Sequence, residues 1–225
     1  MRFLLGLGFS FMASVATACP LMTHTGYVSP SVMVNSVKIC SDEGVDFNAG
    51  PSGGDAIFRR VIVSGWSAEA VQLGLEAGGN PNIQSRHGSP AFVDLVNFAD
   101  QDSEPVVVEI LEVLGAAGAN FSTPDNNGDL ALSKAAGGGE LDTVRVLLRW
   151  RADPNGLNTY NRSPLFETVF GRCSPDVGRM LIQNGARIDV MPQDQIERMF
   201  VEAAETCTNR QGRAYVRELE TLDGR

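Results

Sequence analysis

The sequence predicts an all-α solenoid, a stack of helix-turn-helix units closed by a cap at each end. Three observations predict it. Five segments of the chain end alike at near-regular spacing, an apolar helical stripe precedes each of the four clear endings, and a polar turn with a helix-start signal follows most of them.

The clear endings read GGNPN at Gly78 to Asn82, GANFS at Gly118 to Ser122, RADPN at Arg151 to Asn155 and GARID at Gly185 to Asp189. A fainter copy, GVDFN, lies at Gly44 to Asn48. Their last residues are spaced by 34, 40, 33 and 34 positions. The stripes, such as Val108, Ile110, Leu111 and Leu114, each run into Gly or a polar residue, and Gly most easily takes the left-handed helix end. After the endings come GSPAF at Gly88 to Phe92, DLALS at Asp129 to Ser133 and RSPLF at Arg162 to Phe166. Pro90 and Pro164 suit the first turn of a helix, and Ser89 and Ser163 are expected to cap it.

The pattern resembles the ankyrin repeat, whose G-x-T-P-L-H start and L-L-x-x-G-A-x-x-N end are echoed in SPAF, SPLF and the GA and DPN endings. The resemblance covers about Ser31 to Leu222. It departs from the family at the TPLH histidine, replaced by Phe92, Ser133 and Phe166, so packing is expected to replace the hydroxyl-imidazole bonds between turns. It departs again at Arg151, which stands where Gly usually ends a helix.

In chain order, residues 1–18 are expected to be a signal peptide: Arg2, an apolar stretch from Phe3 to Val15, then Ala16-Thr17-Ala18. The stretch is too short and too interrupted by Gly and Ser to span a membrane. Cleavage after Ala18 predicts a periplasmic or secreted protein, or a lipoprotein anchored through Cys19. Ala16 stands where bacterial lipoprotein signals carry Leu, which favours simple export. Residues 19–50 form an N-terminal segment and capping half-repeat, with a helix from Ser31 to Ser41. Repeats fill 51–192. The 40-residue spacing places an insertion at Ala99 to Pro105, read as length variation. Residues 193–225 read as two capping helices, Gln193 to Thr206 and Ala214 to Leu222, because a solenoid needs polar-faced ends.

Composition narrows the function. The 225 residues carry 18 Lys and Arg against 27 Asp and Glu, a net charge of −9. A phosphate backbone needs clustered cations, so no nucleic-acid partner is expected. An acidic surface is compatible with a basic partner, although solubility accounts for most of these charges. Cys19, Cys40, Cys173 and Cys207 lie in two sequence-local pairs, and an even count in an oxidising compartment reads as disulfides, Cys19 to Cys40 and Cys173 to Cys207. The first bridge competes with lipidation of Cys19. Cys173 and Cys207 sit one repeat apart, just after inner helices, so loop distortion is needed to bring them together.

No catalytic constellation, metal set or cofactor motif is found. Gly137, Gly138 and Gly139 follow no strand and lack a Lys-Ser/Thr sequel, so they read as a turn between helices. GPSGG around Ser52 reads as a finger loop rather than a nucleophile elbow. His24 and His87 offer it no general base. Trp66 and Trp150 read as packing, and Asn120 and Asn161 open N-x-S sequons. The chain is therefore expected to be a monomeric, non-catalytic scaffold for a protein partner whose identity the sequence leaves open. The resemblance implies that contact runs through the inner-helix surface and the finger tips, here Arg86, His87, Asn126, Asn127, Tyr160 and Asn161. The alternative is a secreted effector, or an accessory protein of toxin immunity or stress defence.

Overall fold

The computed structural model describes residues 19–22, 28–50, 55–64, 66–99, 102–170 and 172–224. The expected signal peptide, His24, Ser52 and part of the insertion lie outside these residues. Among the described residues the secondary structure is helical, apart from one isolated bridge between Gln84 and Pro90. A 3-10 turn at Pro20–Met22 precedes α1 (Pro30–Asp42). Five helix pairs follow: α2 (Ile57–Ser64) with α3 (Ala68–Glu76), α4 (Ala91–Asn97) with α5 (Glu104–Ala116), α6 (Ala131–Gly138) with α7 (Leu141–Arg149), α8 (Pro164–Phe170) with α9 (Pro175–Gln183), and α10 (Gln193–Thr206) with α11 (Arg210–Asp223).

Each helix packs on the one a repeat away, which sorts them into two rows. The inner row runs α2, α4, α6, α8, α10 and the outer row α1, α3, α5, α7, α9, α11. Short amphipathic helices bury one stripe only, so a continuous core forms between the rows. Phe58, Phe92, Leu132 and Phe166 from the inner row meet Val71, Leu111, Leu147 and Leu181 from the outer row there, all fully buried. α10 has the expected span, whereas α1 and α11 exceed theirs. α11 starts at Arg210, because the Asn209 Oδ1 atom accepts the Gly212 N–H at 2.7 Å; this is the Asn N-cap that the polar stretch before Ala214 conceals.

The recurring endings are the joints of the stack. The Asn48 side chain donates to the Gly78 carbonyl (2.8 Å) and accepts from Asn80 N–H (2.8 Å). Asn82 does the same with the Gly118 carbonyl (3.3 Å) and Asn120 N–H (2.7 Å), and Asn155 with the Gly185 carbonyl (2.9 Å) and Arg187 N–H (2.8 Å). An amide carries both donor and acceptor, so one side chain closes both bonds. At the third joint Ser122 accepts from Asp153 N–H at 3.1 Å and makes half of the clamp. The carbonyl it would otherwise reach belongs to Arg151, which holds φ +63° where Gly78, Gly118 and Gly185 hold +88° to +91°.

The finger loops correct the sequence register. Ser85 Oγ, Asp125 Oδ1 and Asn158 Oδ1 each accept two backbone N–H bonds, from the residues two and four places on. These three are therefore equivalent, and so are Pro90, Leu130 and Ser163 at the helix N-caps. Pro90 is thus the cap residue itself, not a first-turn residue. The Ser89 hydroxyl donates to Asp94 Oδ1 (2.8 Å) instead of capping, whereas Ser163 Oγ does accept from Phe166 N–H (3.3 Å). The position of the resembled histidine is filled by Val93, Ser133 and Phe166, with Phe92 one residue earlier.

Packing alone does not tie the turns. Asn158 Nδ2 donates to Asp129 Oδ1 (2.9 Å), Asp55 Oδ1 accepts Arg86 N–H (3.0 Å), and Arg59 bridges Asp55 (2.8 Å) and Asp94 (2.5 Å). The expected insertion has a structural end as well. Glu104 and Pro105 open α5, and the Glu104 carboxylate accepts Asp142 N–H (3.0 Å) and Thr143 N–H (3.1 Å) at the start of α7. A carboxylate at a helix N-terminus is favoured by its unsatisfied donors and dipole.

The structure holds Cys19 with Cys40 and Cys173 with Cys207 at disulfide distance, with Cα separations of 4.7 and 5.2 Å. Cys173 takes φ +48°, the loop distortion that brings equivalent repeat positions together. The first pair holds the N-terminal end of the stack at α1, and the second ties the last unit, through Cys207, to Cys173 in the unit before it.

Candidate interaction surface

The inner row and the fingers face the same side, and the sequence sets what they present. Equivalent inner-helix positions carry Arg60, Asp94, Lys134 and Glu167, and one turn further Val63, Asn97, Gly137 and Phe170. The N-terminal half of this surface is closed by the Arg59 bridge. Further along, Lys134 donates to Asp129 (2.8 Å) and lies 3.5 Å from Asp125. Burial works against its ammonium, but the two carboxylates outweigh it and hold the Lys134 pKa above the usual lysine value.

Beyond Lys134 the surface opens into a notch of about 460 Å³. The backbone of Gly137 and Gly138 forms part of its lining, with Asn97 on the α4 side and Tyr160, Arg162 and Glu167 on the α8 side. These glycines are not an inter-helix turn, as their run suggests. α6 continues through Gly138, and Gly139 supplies the left-handed cap at φ +75°. The Glu167 carboxyl is pushed above the usual glutamate range, mainly by burial and also by Asp129, against the pull of Arg162 and Lys134. Arg162 lies over the rings of Phe170 (4.2 Å), Phe166 (4.9 Å) and Tyr160 (5.5 Å to the ring centre).

Of the six finger residues singled out by sequence, all are exposed. Tyr160, 64% exposed, is one wall of the notch. Asn126 and Asn127 line a smaller hollow of about 260 Å³ with Asp94 and Lys134. Arg86, His87 and Asn161 line neither hollow, and Arg86 Nε donates to His87 Nε2 at 3.0 Å. Asn161 instead bends the finger at φ +57°. Ser133, Lys134, Gly137, Arg162 and Glu167 are absent from that selection. Their signal is the difference between equivalent inner-helix positions, which needs the finger register to be read correctly first. No helix among the described residues is long and apolar enough to cross a membrane. No group of three potential metal ligands occurs among them either.

No family model matches the sequence. Cyclin-dependent kinase 4 inhibitor B of Mus musculus is 36% identical over 76 residues, 34% of this chain and 57% of the relative. The Rattus norvegicus protein of the same name is 34% identical over 76 residues. The match thus spans 57% of the length of either relative. Among solved structures, the ankyrin repeat protein EF0377 aligns with a TM-score of 0.65 at 17% identity, covering 85% of this chain and 94% of its own. With five in-phase endings joined by side-chain clamps and two rows of stacked helices, these likenesses show that the chain has the ankyrin-repeat fold.

Proposed function

We propose that this protein is a non-catalytic scaffold that binds a protein partner through its fingers and concave inner row, and that it works outside the cytoplasm. One observation carries the binding reading. Tyr160 stands 64% exposed on a finger that is itself fixed by backbone hydrogen bonds from Tyr160 and Arg162 to the Asn158 side chain, beside an open notch. A rigid exposed aromatic over a concavity is the arrangement from which binding hot spots are made. The curated relatives are named as inhibitors of a kinase, a precedent for a protein target; the kinase itself is not carried over. Export is supported by the signal-like residues 1–18 and by four cysteines that all stand in pairs, as suits an oxidising compartment.

A photo-crosslinking residue placed at Tyr160, and separately at Arg145 on the outer row, tests the binding face in an extract of the source cells. A discrete adduct from position 160 and none from 145 is expected. Equal yields, or no adduct from either, would overturn the finger-side scaffold. Residues 1–50 fused to an alkaline phosphatase lacking its own signal test export: enzymatic activity is expected, and an inactive cytoplasmic fusion refutes it.

A further inference from the structure

The notch over Gly137 and Gly138 exists because the chain puts no side chain there, at some cost. Glycine within a helix is disfavoured by about 1 kcal/mol relative to alanine; at Gly138 the Glu140 carboxylate occupies the space a Cβ would need, but at Gly137 the chain itself makes no use of it. A Cβ on Gly137 would meet Glu167 at 3.7 Å, an ordinary contact, so no neighbour demands glycine at this position. A second, independent observation lies in the wall. Ser133, only 3% exposed, lines the notch, and its hydroxyl has no hydrogen-bond partner among the described residues. Buried polar groups are nearly always matched, and leaving one unmatched costs about 1–3 kcal/mol.

The charges around the notch indicate what would match it. The Glu167 carboxylate makes no ion pair among the described residues, whereas Lys134 is already held by Asp129 and Asp125. Arg162 is stacked over Phe170, Phe166 and Tyr160, although it makes no ion pair and its buried Nε no hydrogen bond among the described residues. The lining carries three carboxylates, Asp129, Glu140 and Glu167, against two cations.

We infer that the Gly137–Gly138 notch receives a basic side chain, arginine or lysine, presented by the protein partner, with Glu167 as its counter-charge and Ser133 as a further acceptor. This rests on the scaffold reading above and gives that partner its chemistry. A guanidinium has five donors and an ammonium three, enough to satisfy both acceptors at once. The glycine floor leaves room for the aliphatic stem.

The test titrates the full mature chain, labelled with nitrogen-15, with the capped peptide Gly-Gly-Arg-Gly-Gly. Its counterparts carry lysine, norleucine or glutamate at the centre, and free argininamide serves as the small-molecule arm. The arginine and lysine peptides are expected to shift the amides of Ser133, Gly137 and Gly138. They should bind at least about tenfold more tightly than the norleucine and glutamate peptides, the value of one charged hydrogen bond. Glu167→Gln and Gly137→Leu should each weaken binding by about the same factor. The first removes the charge with shape kept, and the second fills the space with Glu167 retained. Amides outside the notch, unchanged in both variants, report intact folding. The inference is overturned if norleucine or glutamate binds as well as arginine, if the shifts survive both variants, if no peptide shifts these amides, or if argininamide binds more tightly than the peptide. None of these outcomes bears on the crosslink from position 160, on which the scaffold reading is judged separately.

Discussion

Helical glycines serve opposite ends in the two rows of this solenoid. In the outer row they make room for the protein's own rings. A Cβ on Gly74 would fall 2.6 Å from the Phe58 ring, one on Gly115 would fall 2.4 Å from Trp150, and one on Gly178 would fall 1.9 Å from Tyr215 Oη. In the inner row Gly137 makes room for no group of the chain. The difference separates two meanings of a small residue. Where an aromatic fills the gap, glycine is part of the core; where nothing fills it, glycine shapes a surface. Substitutions in both rows can break or sharpen this contrast.

The largest effect is expected at the C-terminal joint, where each row has its own fastening. α8 and α10 are linked beyond their ends by Cys173 and Cys207, 34 residues apart. Replacing both cysteines by serine should lower unfolding free energy in urea by about 4 kcal/mol, the chain-entropy value for a loop of this size. Intact mass before and after alkylation checks the pairing, since four thiols open to alkylation without reduction would refute both bridges. The outer row is fastened by Tyr215, fully buried against Gly178 on α9. Thr168 Oγ1 donates to the Leu165 carbonyl (2.7 Å), so the Tyr215 hydroxyl is the donor in its 2.8 Å bond to Thr168. Gly178→Ala must push the ring out and break that bond. A loss of about 3 kcal/mol is expected; a loss under about 1 kcal/mol, the ordinary effect of a point substitution, would mean that the ring tolerates the methyl group.

The fold was legible because its joints need specific chemistry. A clamp that must donate to one carbonyl and accept from one N–H selects Asn at positions 48, 82 and 155, and the eye finds that recurrence at once. Helix starts were less legible. SPAF and SPLF look alike, yet Ser89 is one place out of phase with Ser163, and only the bonds of Ser85, Asp125 and Asn158 set the register. The candidate site was legible in its exposed half. Tyr160, Asn126 and Asn127 follow from turn chemistry, which puts polar residues where the chain reverses. The notch floor was not, since a glycine run in a linear reading looks like a turn. Only its alignment with Asn97 and Phe170 shows that side chains were expected there.

Gly137→Ala is the counterpart of Gly178→Ala and should have the opposite sign. The new methyl group meets only Glu167, at ordinary distance, and alanine removes the backbone-entropy cost of glycine near the end of α6. A gain of up to about 1 kcal/mol in urea unfolding is expected. A destabilised Gly137→Ala protein would show that the notch is part of the core after all, and the contrast between the rows would fail.

The smallest effect concerns Glu167, which borders the open space, and it depends on pH. The folded protein holds this carboxyl above its ordinary value, chiefly by burial. Arg162 and Lys134 pull it down without cancelling that effect, and Asp129 adds to it. A carboxyl whose pKa is higher in the folded than in the unfolded state binds its proton more tightly when folded. Folding stability therefore falls as pH rises through the interval between the two values, and the cost persists at all higher pH. Glu167→Gln removes the titration with the shape kept. The variant should be the more stable protein at neutral pH, and its advantage should shrink on acidification and vanish below the ordinary glutamate pKa. Urea midpoints of both proteins from neutral to acid pH measure this directly. A variant less stable than the parent at neutral pH would mean that Arg162 and Lys134 already stabilise the carboxylate. The notch would then have no vacant charge to offer a partner's cation.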